Sequence, residues 1–293
     1  MADKSSECKA RCRRMQKRII GPIMDDLRKS DFYQYEFRPT LEQCSRLLNG
    51  REIEQIICYG LGEFTDGWGA QDSRYQLALL ILMYEKLLEL GHPIKSHIEI
   101  YDPGFKEDDK SVLVSIKCPK FKIIEENEHC ARKIVTSSKN RCALLYMPHM
   151  DIHFYNNILG ANWSKDGLSR LVILGNNFSN MADYIHPRLK LEIFYVNQLV
   201  ENFTKATKTS SSRKKRKKQQ AKPSKINSDD CQVGRALIEL LIDDRDFERG
   251  TFSSTAFHLV DTSWLETNSR KIEESRIKDW RCKIMTKCRE AWL

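Results

Sequence analysis

Ile56-Ile57-Cys58-Tyr59-Gly60-Leu61-Gly62-Glu63-Phe64 is the stretch that decides the fold. Ile56 to Tyr59 is a short apolar run with β-branched residues, which favours a strand. Gly60 and Gly62 then let the backbone turn sharply and approach a neighbour closely. A polar loop, Thr65-Asp66-Gly67-Trp68-Gly69, is rich in turn formers. Beyond it, Leu77, Leu80, Ile81, Tyr84, Leu87 and Leu88 recur at helical spacing. The spacing predicts a helix from Tyr75 to Leu90, capped by Asp72 or Ser73 and stopped by Gly91 and Pro93. His97 to Tyr101 is the next strand, with Asp102 at its end. Strand, glycine bend, helix, strand and acid together open an α/β nucleotide-type fold.

Working outward, the same rhythm continues. Residues 8–29 place Met15, Ile19, Ile23 and Leu27 on one face of a basic helix, interrupted at Gly21-Pro22. That face suits docking on the core; the basic face would suit an acidic partner or RNA. Asp31 to Pro39 looks like an aromatic loop, and Thr40 to Asn49 a short helix. After Asp102, Val112 to Cys118 favours a short helix, Phe121 to Ile124 a third strand and Ala131 to Thr136 a helix. Ala143 to Met147 is a fourth strand, Asp151 a cap for the helix carrying Tyr155 and Ile158, and Leu171 to Asn177 a fifth strand. Leu189 to Phe203 and Val233 to Phe247 carry helical patterns. Ala256 to Val260 is a late strand that Asp261 to Leu265 extends, and Ser269 to Leu293 is a charged helix. The expected fold class is α/β: a Rossmann-like, mostly parallel sheet with helices on both faces, N- and C-terminal helices and a disordered basic insertion.

The expected organisation is a basic helical extension at 1–39, an α/β domain whose first part is 40–203, a basic linker at 204–230, a completing part at 231–266 and a C-terminal helix at 267–293. Lys, Ser, Thr and Gln fill the linker, and nothing there repays the entropy of ordering. The 293 residues are 41% hydrophobic, ample for a buried core. The net charge of +9 conceals an uneven distribution. Ten Lys/Arg and no acid lie in 202–228, and seven Lys/Arg against Asp3 and Glu7 in 1–20, which leaves the remainder of the chain mildly acidic. A surface built for duplex DNA would be basic, so nucleic acid is expected to meet only the tails. No apolar run approaches the roughly 20 residues of a membrane span. The charged start, Met1-Ala2-Asp3-Lys4, is not followed by an apolar signal segment. The ten cysteines form no Cys-x-x-Cys pair and are expected reduced, without structural zinc.

Several strings, in this order, resemble one family: Cys58-Tyr59-Gly60-Leu61-Gly62, Arg74-Tyr75-Gln76-Leu77-Ala78, Tyr101-Asp102-Pro103-Gly104-Phe105 and Glu125-Glu126-Asn127-Glu128. Met147-Pro148-His149, Tyr155-Asn156-Asn157-Ile158-Leu159, Asn162-Trp163, Leu174-Gly175-Asn176-Asn177-Phe178, Ala256-Phe257-His258 and Asp261-Thr262-Ser263 complete the set. Together they are similar to the Sensitivity-to-Red-light-Reduced, or SRR1-like, proteins over about 50–200 and 250–266. The resemblance implies a regulator in a circadian-clock input pathway and related gene expression. It also implies looser links to haem synthesis and microtubules, and no established catalysis. Asn127-Glu128-His129-Cys130 stands where the family tends to have Asn-Glu-Glu-Gly.

The candidate ligand site lies over the carboxyl ends of the strands. It comprises Gly60, Gly62, Glu63, Asp102, Asn127, His149, Asn176 and Asn177. Gly60-x-Gly62 lacks the third glycine of a dinucleotide fingerprint. Asp102 stands where an acid receives ribose hydroxyls, or is only a turn acid before Pro103. His149 could bond a phosphate or polarise a substrate, and its spacing to His153 would also suit a metal pair. The three asparagines either converge on a ligand or satisfy loop backbone. Cys58 reads as an inert core thiol. The cofactor stays unassigned; the alternative to a regulator is an S-adenosylmethionine- or nucleotide-dependent, methyltransferase-like enzyme using this cleft. Arg213-Lys214-Lys215-Arg216-Lys217-Lys218 follows three serines and fits the acidic groove of a nuclear import receptor. Non-specific RNA or phospholipid attraction would use the same charge, and serine phosphorylation would weaken either. Protein partners, and a cytoplasmic and nuclear location, are expected.

Overall fold

The structure is a computed structural model that describes residues 20–67, 69–183, 192–201, 236–244, 247 and 251–274. Its helices are α1 (Gly21–Lys29), α2 (Arg38–Leu47), α3 (Ala70–Glu89), α4 (Glu107–Ser115), α5 (Ile152–Ala161), α6 (Lys165–Ser169), α7 (Phe178–Asp183), α8 (194–201) and α9 (Thr262–Glu274). Its strands are β1 (Glu52–Tyr59), β2 (His97–Tyr101), β3 (Lys120–Ile123), β4 (Arg141–Met147), β5 (Leu171–Asn176), β6 (Leu237–Leu241) and β7 (Thr255–Val260). They form one seven-stranded sheet of order β3-β2-β1-β4-β5-β7-β6. β1 to β5 are parallel, and β7 runs antiparallel between β5 and β6. The expected mostly parallel α/β sheet is therefore present. Strand order reverses between β1 and β4, and at such a switch point the strand ends open a crevice.

Alternation along the central strands explains the layering. Ile56 and Cys58 of β1, Leu144 and Tyr146 of β4, Val172 and Leu174 of β5 and Phe257 of β7 face one layer. That layer is covered by α1, α2, α3 and α4. Ile57 and Tyr59, Leu145 and Met147, and Ile173 face the opposite layer, covered by α5, α6, α8 and α9. Two buried faces favour a continuous apolar run through a central strand, as Cys142 to Met147 of β4 and Leu171 to Leu174 of β5 show. No helix among the described residues is long and apolar enough to cross a membrane. Cys44, Cys58, Cys118, Cys130 and Cys142 are free thiols.

Several sequence expectations are corrected. The aromatic stretch before α2 is a π-helical turn, Phe32–Phe37, rather than a loop. Its wider winding buries Phe32, Tyr33 and Phe37, and Phe32 stacks on Phe252 at 4.7 Å. α3 begins at Ala70 behind Gly69, without a side-chain cap. Asp72 instead accepts from the Thr251 hydroxyl at 2.8 Å. Residues 131–136 are irregular, not helical. Asn162 holds them there, accepting from the Ile134 N–H and donating to the Arg132 carbonyl. The helical pattern over 233–247 gives way to β6, because Leu237 to Leu241 pair with β7. The last strand stops at Val260, since Asp261 accepts from the Ser263 and Trp264 N–H groups and starts α9. α1 carries the expected Ile23 and Leu27 face, with Pro22 in its first turn. Met15, Ile19, the linker at 204–230, the cations at 213–218 and the ends of the 189–203 and 269–293 helices lie outside the described residues.

Phe257 is fully buried on β7, with its ring 6.0 Å from that of Phe37. Phe257→Ala is expected to destabilise the fold by about 3–5 kcal/mol, read as a lowered urea midpoint. Asp261→Ala, which removes the α9 cap, is expected to cost about 0.5–2 kcal/mol by the same measurement.

Candidate functional site

The bend after β1 is built on two left-handed glycines, Gly60 at φ 73° and Gly62 at φ 81°. Neither position has room for a methyl group: a Cβ on Gly60 would lie 2.0 Å from Met150 Sδ, and one on Gly62 would lie 2.7 Å from Ser73 Oγ. Met150 comes from the β4–α5 loop and Ser73 from the first turns of α3, so the bend is the meeting point of three elements.

Carboxylates hold the bend in place. The Gly62 N–H donates to Asp102 Oδ2 at 2.7 Å, and the Gly104 N–H to Asp102 Oδ1 at 2.7 Å. The Gly60 N–H donates to the Tyr101 carbonyl. Asp109, fully buried, accepts from the Phe64 and Thr65 N–H groups through Oδ1 and from Lys106 through Oδ2. Arg74 returns from α3 to donate to the carbonyls of Phe64 and Thr65. Glu63 pairs with Lys106 at 2.6 Å. Burial pushes the Asp102 carboxyl above its ordinary range; the two N–H bonds pull it back, and the Asp109 and Glu63 charges add to the rise.

Asp102 therefore sits beside the bend, at the end of β2. His149 is exposed at the end of β4, with φ 53°. Its N–H donates to Asn176 Oδ1, and its ring Nε2–H donates to the Thr251 carbonyl at 2.6 Å. His149 precedes the α5 cap Asp151, whereas His153 lies within α5. Among the described residues, no group of three or more His, Cys, Asp or Glu side chains is placed to hold a metal ion.

The asparagines turn to the backbone. Asn176 Nδ2 donates to the Met150 carbonyl, Asn177 Oδ1 accepts from Asn180 N–H, and Asn127 Oδ1 accepts from His129 N–H. Asn176 and Asn177 thus shape the rim, and their structural reading is the one the geometry supports. Cys58 is buried in β1, and burial holds its thiol well above the ordinary value.

The sequence did not point to Asp109, Arg74 or Met150 as parts of this site. The signal for Asp109 was present in Glu107-Asp108-Asp109, three acids opening a helix, where negative charge is favoured. A second missed group joins the end of β1 to the turn after β3. Tyr59 donates to Glu128 Oε2 at 2.6 Å, and Arg132 bridges Glu128 to Glu99. Burial opposes ionisation of Glu99, but Arg132 outweighs it and holds the carboxyl below its usual range. In the same turn, His129 Nδ1 is buried without a hydrogen-bond partner among the described residues. A third group anchors α7. Glu239 Oε1 accepts from the Phe178 N–H at 2.8 Å and lies 3.0 Å from His258 Nε2, while Oε2 accepts from the Ser179 hydroxyl.

Residues 33–259 match the SRR1 domain. The chain is 35% identical over 138 residues to an SRR1-like protein of Mus musculus, covering 47% of this chain and 50% of the relative. It is 30% identical over 148 residues to Protein SENSITIVITY TO RED LIGHT REDUCED 1 of Arabidopsis thaliana, covering 50% of this chain and 48% of that protein. The matched segment thus spans about half the length of each curated relative. Among solved structures, a mutant of MtNAS in complex with S-adenosylmethionine aligns at 11% identity with a TM-score of 0.28, covering 58% of this chain and 61% of that one.

Gly62→Ala is expected to lower stability by about 1–3 kcal/mol in urea unfolding, because it strains a left-handed position and crowds Ser73. Asp102 carries a pH signature. Its folded carboxyl binds a proton more tightly than the unfolded one, so its contribution favours the fold on the acid side. That contribution is lost as pH rises from about 4, the unfolded value, through the raised folded value. In paired urea titrations across this window, wild type should lose stability relative to Asp102→Asn as pH rises.

Proposed function

The chain belongs to the SRR1 domain family, and from that premise we propose that it is a regulatory protein in a light- and clock-linked pathway. Residues 40–203 and 231–266 act as the two parts of one domain, whose cleft over Gly60, Gly62, Glu63, Asp102 and His149 receives a small molecule. The protein works by binding rather than by turnover. The single observation that supports this most is the use of polar groups around the cleft. Asn127, Asn176 and Asn177 bond loop backbone, and His149 Nε2 bonds the Thr251 carbonyl. Groups spent in this way shape a surface; a catalytic set would converge on one reacting atom. The printed name of the Arabidopsis relative supports the link to red light.

A second reading is an S-adenosylmethionine- or nucleotide-dependent enzyme of methyltransferase type. The placement of Asp102 at the end of β2, bonded to the bend after β1, favours it. Thermal-shift measurements with S-adenosylmethionine, NAD, ATP and haem separate the two. A ligand that raises the melting temperature of wild type but not of Gly62→Trp locates binding in the cleft. Product formation from that ligand would overturn the regulatory reading in favour of the enzyme.

The basic run Arg213 to Lys218 serves nuclear import, which gives the protein a nuclear as well as a cytoplasmic pool and an import receptor as partner. Deletion of 213–218 should lower the nuclear fraction of a fluorescently tagged chain several-fold. An unchanged nuclear fraction would refute the import role.

A further inference from the structure

We infer that the cleft recognises a ribonucleoside through the vicinal hydroxyls of its ribose, with no phosphate at the glycine bend; this rests on the cleft reading proposed above. The geometry of the bend carries it. A phosphate-binding glycine loop offers free backbone N–H groups to the anion. Here three of those donors are occupied from within. The Gly62 N–H is given to Asp102, and the Phe64 and Thr65 N–H groups to Asp109. Two carboxylates of the protein stand where a phosphate would have to sit, and a phosphate would meet like charge.

The nearby cations cannot compensate. Among the described residues, Lys106 is paired with Glu63, Arg74 is bound to the Phe64 and Thr65 carbonyls, and Arg132 is held by Glu128 and Glu99. At the end of β2, Asp102 keeps acceptor capacity. Each oxygen of Asp102 takes a single N–H, from Gly62 or Gly104, and a carboxylate oxygen has two acceptor sites. A fixed carboxylate with spare acceptor positions favours a ligand that brings donors. Two adjacent hydroxyls match the two oxygens of one fixed carboxylate at the end of β2, and the switch point beside β1 supplies the crevice for the sugar. The N–H bonds from Gly62 and Gly104 fix the carboxylate before the ligand arrives, so little ordering is left for binding to impose.

The test is calorimetric titration of the full chain with adenosine, guanosine, cytidine and uridine, with the 2′-deoxy form and the 5′-triphosphate of each, and with argininamide as a competing donor. At least one ribonucleoside should bind, its 2′-deoxy form about tenfold or more weaker, and its triphosphate no tighter. Asp102→Asn should lose that binding while still unfolding cooperatively. The ligand series on wild type stands even if this variant fails to fold. Equal affinity for the deoxy form, a triphosphate binding more tightly, or argininamide binding in place of every nucleoside would overturn the ribose inference and leave the cleft reading intact. If no nucleoside binds but a compound of another class still shifts wild type and not Gly62→Trp, the ribose inference alone falls. If nothing shifts wild type, both fall.

Discussion

The hydrogen bond from the Gly62 N–H to Asp102 Oδ2 is the constraint on which the rest of the bend after β1 depends. It ties the end of β1 to the end of β2 across the first crossover. With it, Leu61 is buried and Gly62 stays within reach of Ser73 on α3. Without it, the Gly62 N–H and one oxygen of Asp102 would lose their partner at a half-buried edge, where an unpaired polar group is costly. Asp109 repeats the device one turn later, receiving the next N–H groups of the same bend and the start of α4. The two acids turn a flexible glycine-containing segment into a fixed one, and Arg74 closes it from the α3 side.

This arrangement distinguishes the bend from a glycine loop whose amides are free. A loop whose amides are free is positive at its surface; one whose amides end on carboxylates is not. The difference lies in which donors remain unspent, and spacing alone does not reveal it. The rim on the other side of the switch point follows the same rule. Asn176 ties β5 to the β4–α5 loop through the His149 N–H and the Met150 carbonyl, and Met150 in turn lies against Gly60. The bend after β1 and the end of β5 are thus linked through one methionine.

Much of this was legible from the residues. The apolar run of β1, the two glycines, the long α3 pattern and Asp102 after β2 define the first half of the sheet, because each signal is local and repeated. β4 and β5 were equally plain, since strands buried on both faces are continuous apolar runs. Local signals failed where a distant partner decides. Leu237 to Leu241 fit helical spacing as well as a strand, and only pairing with β7 selects the strand. Phe32 to Phe37 lacked helical polarity because its aromatics reach Phe252 and Phe257, more than two hundred residues away in sequence. Asp261 is a cap that its own neighbours announced, yet the preceding strand masked it. In the site, the position of Asp102 could be read, whereas the fates of Asn127, Asn176 and Asn177 could not. An amide side chain bonds whichever backbone group its loop presents, and that is set by the folded path.

The insertion of β7 between β5 and β6 has a consequence for how the protein is made. Synthesis proceeds from the N-terminus, and the five parallel strands are complete once residue 176 has emerged. The strand that covers β5 begins at Thr255, so the free edge of β5 waits through the whole intervening segment for its neighbour. During that interval a nascent chain carries an unpaired, apolar ribbon edge, the kind of surface that associates with other chains.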